Sequence, residues 1–221
     1  MLAFLPLILT IPFIAWVFQQ VRKPSGLLGR RMLDAMNVSH AAMTDWGLQQ
    51  LAVPKNAVIL DVGCGGGRTV GALAALAPEG KVVGLDYSAA SVAVSRKRNA
   101  REIAAGRVRI EQGSVAALPF PDGTFDVVTA VETHYYWPDL PANVREIGRV
   151  LKPGGTFMLI AETYRGGPLR WMYGMVMPLL RAAFLSDAEH RDLLTQAAFT
   201  DVTTEHVPGK NWICAKGRRP R

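Results

Sequence analysis

Two short apolar runs in the first half of the chain, Ala57 to Leu60 and Val82 to Leu85, each end in a carboxylate, Asp61 and Asp86. Unbroken runs of this kind predict strands buried on both faces, as in a parallel sheet. Between them Thr69 to Ala77 is rich in Ala, Leu and Val and predicts a helix, so the unit reads strand, helix, strand, the second strand being Lys81 to Asp86. Helical spacing returns in Leu27 to Leu51, one or two amphipathic helices after a break at Pro24-Ser25-Gly26, with Leu28, Met32, Met36 and Met43 among the apolar positions. Methionine at such spacing is more often packing than ligand contact. Tyr164 to Leu185 is strongly apolar and opens on a hinge-like Arg165-Gly166-Gly167-Pro168, a second candidate roof that could close over a pocket or dip into a membrane. A third pattern fills the front, where Met1 to Val21 carries no charged side chain and Leu2 to Phe18 is apolar apart from Thr10.

The first carboxylate opens a turn dense in glycine, Asp61-Val62-Gly63-Cys64-Gly65-Gly66-Gly67-Arg68. Glycines after a buried strand permit positive φ and let a ligand approach the backbone, and the following helix aims its first amides at that ligand. A carboxylate closing the second strand can accept both hydroxyls of a ribose, so Asp86 predicts a nucleoside. The dinucleotide pattern G-x-G-x-x-G fails, because Arg68 stands where its third glycine belongs. What the chain carries is D-x-G-x-G-x-G at Asp61, Gly63, Gly65 and Gly67.

That loop resembles motif I of the class I S-adenosylmethionine-dependent methyltransferases, small-molecule type, similar to those acting on ubiquinone and menaquinone precursors. The resemblance continues through Leu118-Pro119-Phe120-Pro121-Asp122-Gly123-Thr124-Phe125-Asp126-Val127-Val128, Leu151-Lys152-Pro153-Gly154-Gly155 with Thr156 to Ile160, and Ala197-Ala198-Phe199-Thr200-Asp201-Val202, with Trp212 to Lys216 as a last strand. It implies an α/β fold with a Rossmann-like seven-stranded sheet in the order 3-2-1-4-5-7-6, helices on both faces, over residues 46–217. It also implies S-adenosyl-L-methionine as cofactor: Asp61, Gly63, Cys64 and Gly65 at its methionine end, Asp86 at the ribose, Tyr87 against the adenine, and Ser114, Val115 and Val131 completing the set. Two positions depart from the family. Ser114 stands where many relatives place an acid, and Ala198 stands where glycine is usual, at a cost of about 1 kcal/mol if its φ is positive.

Chemistry is expected after the fourth strand, in Ala130-Val131-Glu132-Thr133-His134-Tyr135-Tyr136-Trp137-Pro138-Asp139. Methyl transfer is an in-line displacement that needs alignment and a dry pocket. For a hydroxyl or thiol acceptor a base helps, with His134 first and Glu132 second, while Tyr135, Tyr136 and Trp137 suit an aromatic wall. His40, Met36 and Asn37 are candidates to touch substrate from the N-terminal helices. Two cysteines, Cys64 and Cys214, and four scattered histidines give no zinc-type spacing, so no metal is expected. Reduced thiols fit a cytosolic face.

As a helix, the 17 residues from Leu2 to Phe18 reach about 25 Å against a hydrocarbon core of about 30 Å, with Pro6 and Pro12 interrupting. They predict an anchor over residues 1–21, spanning or partly inserted, followed by a helical linker over 22–45. Arg22, Lys23, Arg30 and Arg31 then place the catalytic domain on the cytoplasmic side. With 25 basic against 18 acidic residues the net charge is +7, and the tail at 218–221 is basic, which suits anionic lipid. No nucleic-acid module is recognisable. These features together predict a membrane-associated methyltransferase for a small apolar or amphipathic acceptor such as a quinone precursor, lipid or thiol. The alternative is a membrane-bound cofactor sensor or assembly protein without transfer.

Overall fold

The computed structural model describes residues 23–221. The expected anchor over residues 1–21 lies outside the described residues. Among the described residues no helix is long and apolar enough to cross a membrane.

Two helices, α1 (Gly26–Ser39) and α2 (Ala41–Gln49), precede the sheet, so the helical segment forms as two pieces, the second running past residue 45. There follow β1 (Val58–Val62), α3 (Arg68–Leu76), β2 (Lys81–Asp86), α4 (Ala89–Arg98), α5 (Ala100–Ala104), β3 (Val108–Gln112) and β4 (Phe125–Val131). After a 3-10 turn at His134–Tyr136 come α6 (Leu140–Val150), β5 (Leu151–Ala161), α7 (Arg170–Leu179), α8 (Asp187–Gln196), β6 (Thr200–His206) and β7 (Ile213–Arg218). The seven strands form one sheet in the order β3-β2-β1-β4-β5-β7-β6. β1 to β5 are parallel, and β7 runs antiparallel between β5 and β6. The expected fold and strand order are both present.

Alternation along each strand builds a core on either side of the sheet. Ile59, Val82, Val127 and Met158 pack on one face against Val70 and Leu73 of α3, Val92 of α4 and Met43 of α2. Leu60, Val83, Val128 and Phe157 pack on the other against Val144 and Ile147 of α6 and Leu194 of α8. Burial on both sides is why β1 and β2 read as continuous apolar runs.

Local signals set the helix ends. Asp139 caps α6 by accepting from the Ala142 amide at 3.0 Å, with proline in its first turn. Ser186 and Glu189 form a reciprocal capping box at α8. Ala198 takes φ +65°, so alanine does occupy a left-handed position.

Candidate active site

The carboxyl ends of the parallel strands carry the site, as open α/β sheets require. Asp61 is buried near the end of β1 and accepts a hydrogen bond from Thr129 Oγ1 on β4 at 2.8 Å. Burial pushes its carboxyl up to about 7, the Thr129 bond opposing and the nearby Asp86 charge adding to the rise. The loop beyond it turns on Gly63, Gly65 and Gly67, at φ +73°, +49° and +77°. The amides of Gly63 and Cys64 both donate to the Leu85 carbonyl, at 2.7 and 3.0 Å, which ties the loop to β2. A Cβ at Gly63 would lie 2.2 Å from Thr133 Oγ1, so the loop and the β4 end close on each other over bare backbone.

Asp86 closes β2 with its carboxylate fixed by two amides, Gly65 N at 2.9 Å and Ser88 N at 2.8 Å. A cavity of about 260 Å³ opens beside it, lined by Gly63, Gly65, Asp86, Tyr87, Ser114 and Val115 from the sheet side. Thr133, Tyr136, Trp137 and Pro138 form a second wall, and Pro24, Leu33 and Met36 form a roof. The roof is fastened at three points. Ser88 Oγ donates to the Pro24 carbonyl at 2.7 Å, Arg98 pairs with Asp34 at 3.6 Å, and Arg68 pairs with Asp45 at 2.6 Å. A smaller cavity of about 90 Å³ shares Leu33, Met36, Gly63, Gly65 and Glu132 with the first and adds Asn37, His40, Cys64, Arg68 and Val131.

Nearly all the sequence-predicted cofactor residues therefore line one of these two connected spaces. Asp61 is the exception: it lies beneath the loop, almost fully enclosed. Cys64 is a free buried thiol with Sγ 3.9 Å from Ser95 Oγ, and Cys214 is also free and buried. Ser114 Oγ accepts from the Ala116 amide at 3.2 Å.

The three candidate catalytic residues part company. Glu132 faces both cavities. His134 does not: it is buried on the far side of the 3-10 turn, its Nε2 3.2 Å from His190 Nε2. The position expected for the first-choice base is thus a packing position, because successive residues of so tight a turn point in different directions. Tyr135 is also turned away, buried with Ala161, Tyr164 and Met177, but its hydroxyl donates to Glu132 Oε2 at 2.6 Å. Tyr136 and Trp137 form the aromatic wall. Met36, Asn37 and His40 all reach the cavities, so Met36 is a lining residue. Sequence reasoning missed Leu33 and Thr133. Leu33 stands three positions before Met36 on one helix face, the signal that would have found it.

The residues present fit S-adenosylmethionine. A Cβ at Gly66 would fall 2.1 Å from Asn37 Nδ2, so the loop accepts the roof only as glycine. Asn37 Nδ2 and Arg68 Nη1 are buried without hydrogen-bond partners. Two unsatisfied donors beside a glycine loop and the start of α3 suit the carboxylate of an amino acid, while Asp86 and the Tyr87 ring suit a ribose and a base.

This sheet order, with an acid-glycine loop after β1 and an acid closing β2, defines a class I S-adenosylmethionine-dependent methyltransferase. Residues 60–159 match the family model described as a methyltransferase domain. The chain is 32% identical over 184 residues to a demethylmenaquinone methyltransferase of Lactiplantibacillus plantarum, covering 78% of this chain and 75% of that one. Among solved structures it is similar to a chain of the Haloferax volcanii complex between the Trm112 methyltransferase activator and a methyltransferase (TM-score 0.73, 21% identity, 86% of this chain and 94% of that one). It is similar too to phosphoethanolamine N-methyltransferase 2 of Haemonchus contortus in complex with S-adenosyl-L-methionine (TM-score 0.71, 17% identity, 81% and 53% covered). The chain belongs to the S-adenosylmethionine-dependent methyltransferase family, and S-adenosylmethionine is its cofactor.

Proposed function

We propose that this enzyme methylates a small apolar or amphipathic acceptor of the quinone-precursor type, taken from a membrane surface on the cytoplasmic side. The observation that carries the acceptor class is the composition of the larger cavity. Beyond its cofactor end at Asp86, Tyr87, Ser114 and Val115, it is faced by Leu33, Met36, Tyr136, Trp137 and Pro138, and Glu132 is the acid that meets it at the β4 end. Such a space takes a flat apolar ring and presents one polar edge to it. The similarity to a demethylmenaquinone methyltransferase supports the same class.

When bound, S-adenosylmethionine supplies a methyl group on a sulfonium centre. The chain's part is alignment and exclusion of water. The roof residues Leu33 and Met36 cover the space, the aromatic wall sets the plane of the ring, and Glu132 and His40 form the polar end. On transfer the methyl–sulfur bond breaks with its electron pair on sulfur, the new bond forms to the acceptor, and the acceptor's displaced proton leaves to solvent.

Membrane contact is supported by α7. Trp171, Met175 and Leu179 recur every fourth residue and are 65%, 59% and 69% exposed, an apolar stripe beside the exposed Leu169. A stripe of large side chains held in water suits insertion into a headgroup layer, and the apolar residues 2–18 add a second contact.

The test is methyl transfer by the full chain, with vesicles, to reduced demethylated naphthoquinol against thiols, phenols and amines. Turnover on the quinol supports the reading, and turnover on a water-soluble amine or thiol alone overturns it. Cofactor binding without turnover on any acceptor would instead favour a sensor. In vesicle sedimentation, the triple variant Trp171→Ser, Met175→Ser, Leu179→Ser is expected to lower binding several-fold. An unchanged bound fraction refutes the role of α7.

A further inference from the structure

Three side chains from distant parts of the chain converge at the polar end of the cavities. His40 sits at the joint between α1 and α2, Glu132 just beyond β4, and Glu162 just beyond β5. His40 Nε2 lies 3.8 Å from Glu132 Oε2 and 3.7 Å from Glu162 Oε2, and one ligand atom from each residue falls within 4.8 Å of the others. Neither distance is a hydrogen bond, so a nitrogen and two carboxylate oxygens face one another across a gap.

The backbone invests in this arrangement. Glu132 takes φ +57°, a conformation unusual for a side chain with a Cβ and one that collects at functional sites. Its carboxylate is then gripped from behind, Oε1 accepting from the Glu162 amide and Oε2 from the Tyr135 hydroxyl. Ligating carboxylates are commonly oriented by such outer partners. His40 is fixed in turn by its backbone, whose amide donates to the Met36 carbonyl at 3.0 Å and whose carbonyl accepts from the Thr44 amide and hydroxyl.

We propose that His40, Glu132 and Glu162 form a three-ligand site for a divalent first-row transition cation of the Mn²⁺ or Zn²⁺ kind, with its open positions towards the cavities. The donor set decides the class: one imidazole with two carboxylates suits Mn²⁺, Fe²⁺ or Zn²⁺ better than Ca²⁺ or Mg²⁺, which prefer oxygen alone. Ligand atoms around such an ion stand about 3 to 3.5 Å apart. The His40 spacings of 3.7 and 3.8 Å need to close by a few tenths of an ångström, and the two carboxylate oxygens, within 4.8 Å of each other, by more, which the partly exposed Glu162 side chain supplies by turning.

Both His40 and Glu132 line the smaller cavity, and Glu132 also lines the larger one. An ion there would receive an oxygen of the acceptor, fix its direction and favour loss of its proton to solvent. This use of the ion rests on the acceptor reading above, whereas the binding of the ion does not. It also gives Glu132 a role as ligand in place of the proton acceptor expected from its sequence.

The experiment is calorimetric titration of the metal-stripped full chain with MnCl₂, ZnCl₂ and MgCl₂ separately, with CoCl₂ added to read the visible spectrum of an imidazole-ligated ion. One equivalent of Mn²⁺ or Zn²⁺ is expected to bind, to raise the unfolding temperature, and to bind at least tenfold more weakly in His40→Ala and Glu162→Gln. Glu162→Gln keeps the side-chain shape and reads the site even if His40→Ala loosens the roof. Absence of stoichiometric binding to the native chain, or binding unchanged in both variants, overturns the proposal and leaves His40 simply facing the two acids. Binding without quinol turnover keeps the site and sinks the acceptor reading. Turnover without ion binding does the reverse.

Discussion

His134 donates a hydrogen bond from its Nε2 to His190 Nε2 across 3.2 Å of buried interior. The direction follows from the second nitrogen of His190. Its Nδ1 lies 2.8 Å from the Ser186 carbonyl, which only accepts, so the proton of neutral His190 is on Nδ1 and its Nε2 is the lone pair. The pair is neutral, and His134 Nδ1 is left buried without a partner.

Burial lowers the proton affinity of both rings; His190 disfavours a charge on His134 and His206 one on His190, while the Ser186 carbonyl, Asp187 and Glu189 partly offset this at His190. The unfolded chain therefore takes up protons below about pH 6.5 that the folded pair refuses, and the pair's own contribution to stability falls as pH drops through that range. Each ring contributes up to about 1.4 kcal/mol per pH unit once fully titrating in the unfolded state. Urea unfolding between about pH 7 and pH 5 checks this. The His134→Leu, His190→Leu double variant should lose less stability, or gain more, than the native chain over that range, and an equal slope in both proteins refutes the neutral pair.

Asp61 holds its proton up to about pH 7 in the folded protein. Its contribution to stability is thus present at lower pH and fades as pH rises through 7. A cationic ligand above the loop reverses the preference and draws the ionised form. S-adenosylmethionine is therefore expected to release up to one proton on binding at pH 6.5, with affinity rising several-fold from about pH 6 to 8. Calorimetry in two buffers of different ionisation enthalpy counts that proton. Asp61→Asn should remove it, and a count of zero in the native chain sinks the assignment.

Ala198 occupies φ +65° after α8, where a Cβ is strained. Ala198→Gly should stabilise the fold by about 1 kcal/mol, or roughly 2 to 4 °C in a domain of this size. Differential scanning calorimetry reads it directly, and a lowered melting temperature would mean that the extra freedom of glycine in the unfolded chain outweighs the relieved strain.

How much of this was legible depended on whether the signal was local. β1 and β2 could be read because both faces are buried, and the loop glycines because their φ values demand them. β6 is an edge strand of mostly exposed polar residues, Thr200 to His206, and only its resemblance to known relatives located it. The decapeptide after β4 showed its chemistry but not its directions: a turn with three residues per revolution sent His134 inwards and Tyr136 to the cavity. His40, Glu132 and Glu162 belong to three elements, and no spacing along the chain announces a meeting that the sheet and roof bring about.

Leu33 and Met36 direct the apolar side of α1 at the cavities, and Leu33 belongs to none of the three buried clusters of the described residues. Leu33 is closed off from solvent all the same, its Cδ2 beside Gly65, so the roof rests on the glycine loop itself. The loop is thus a bearing as well as a cradle: a side chain added at Gly66 would press on Asn37 and lift the roof while filling the site.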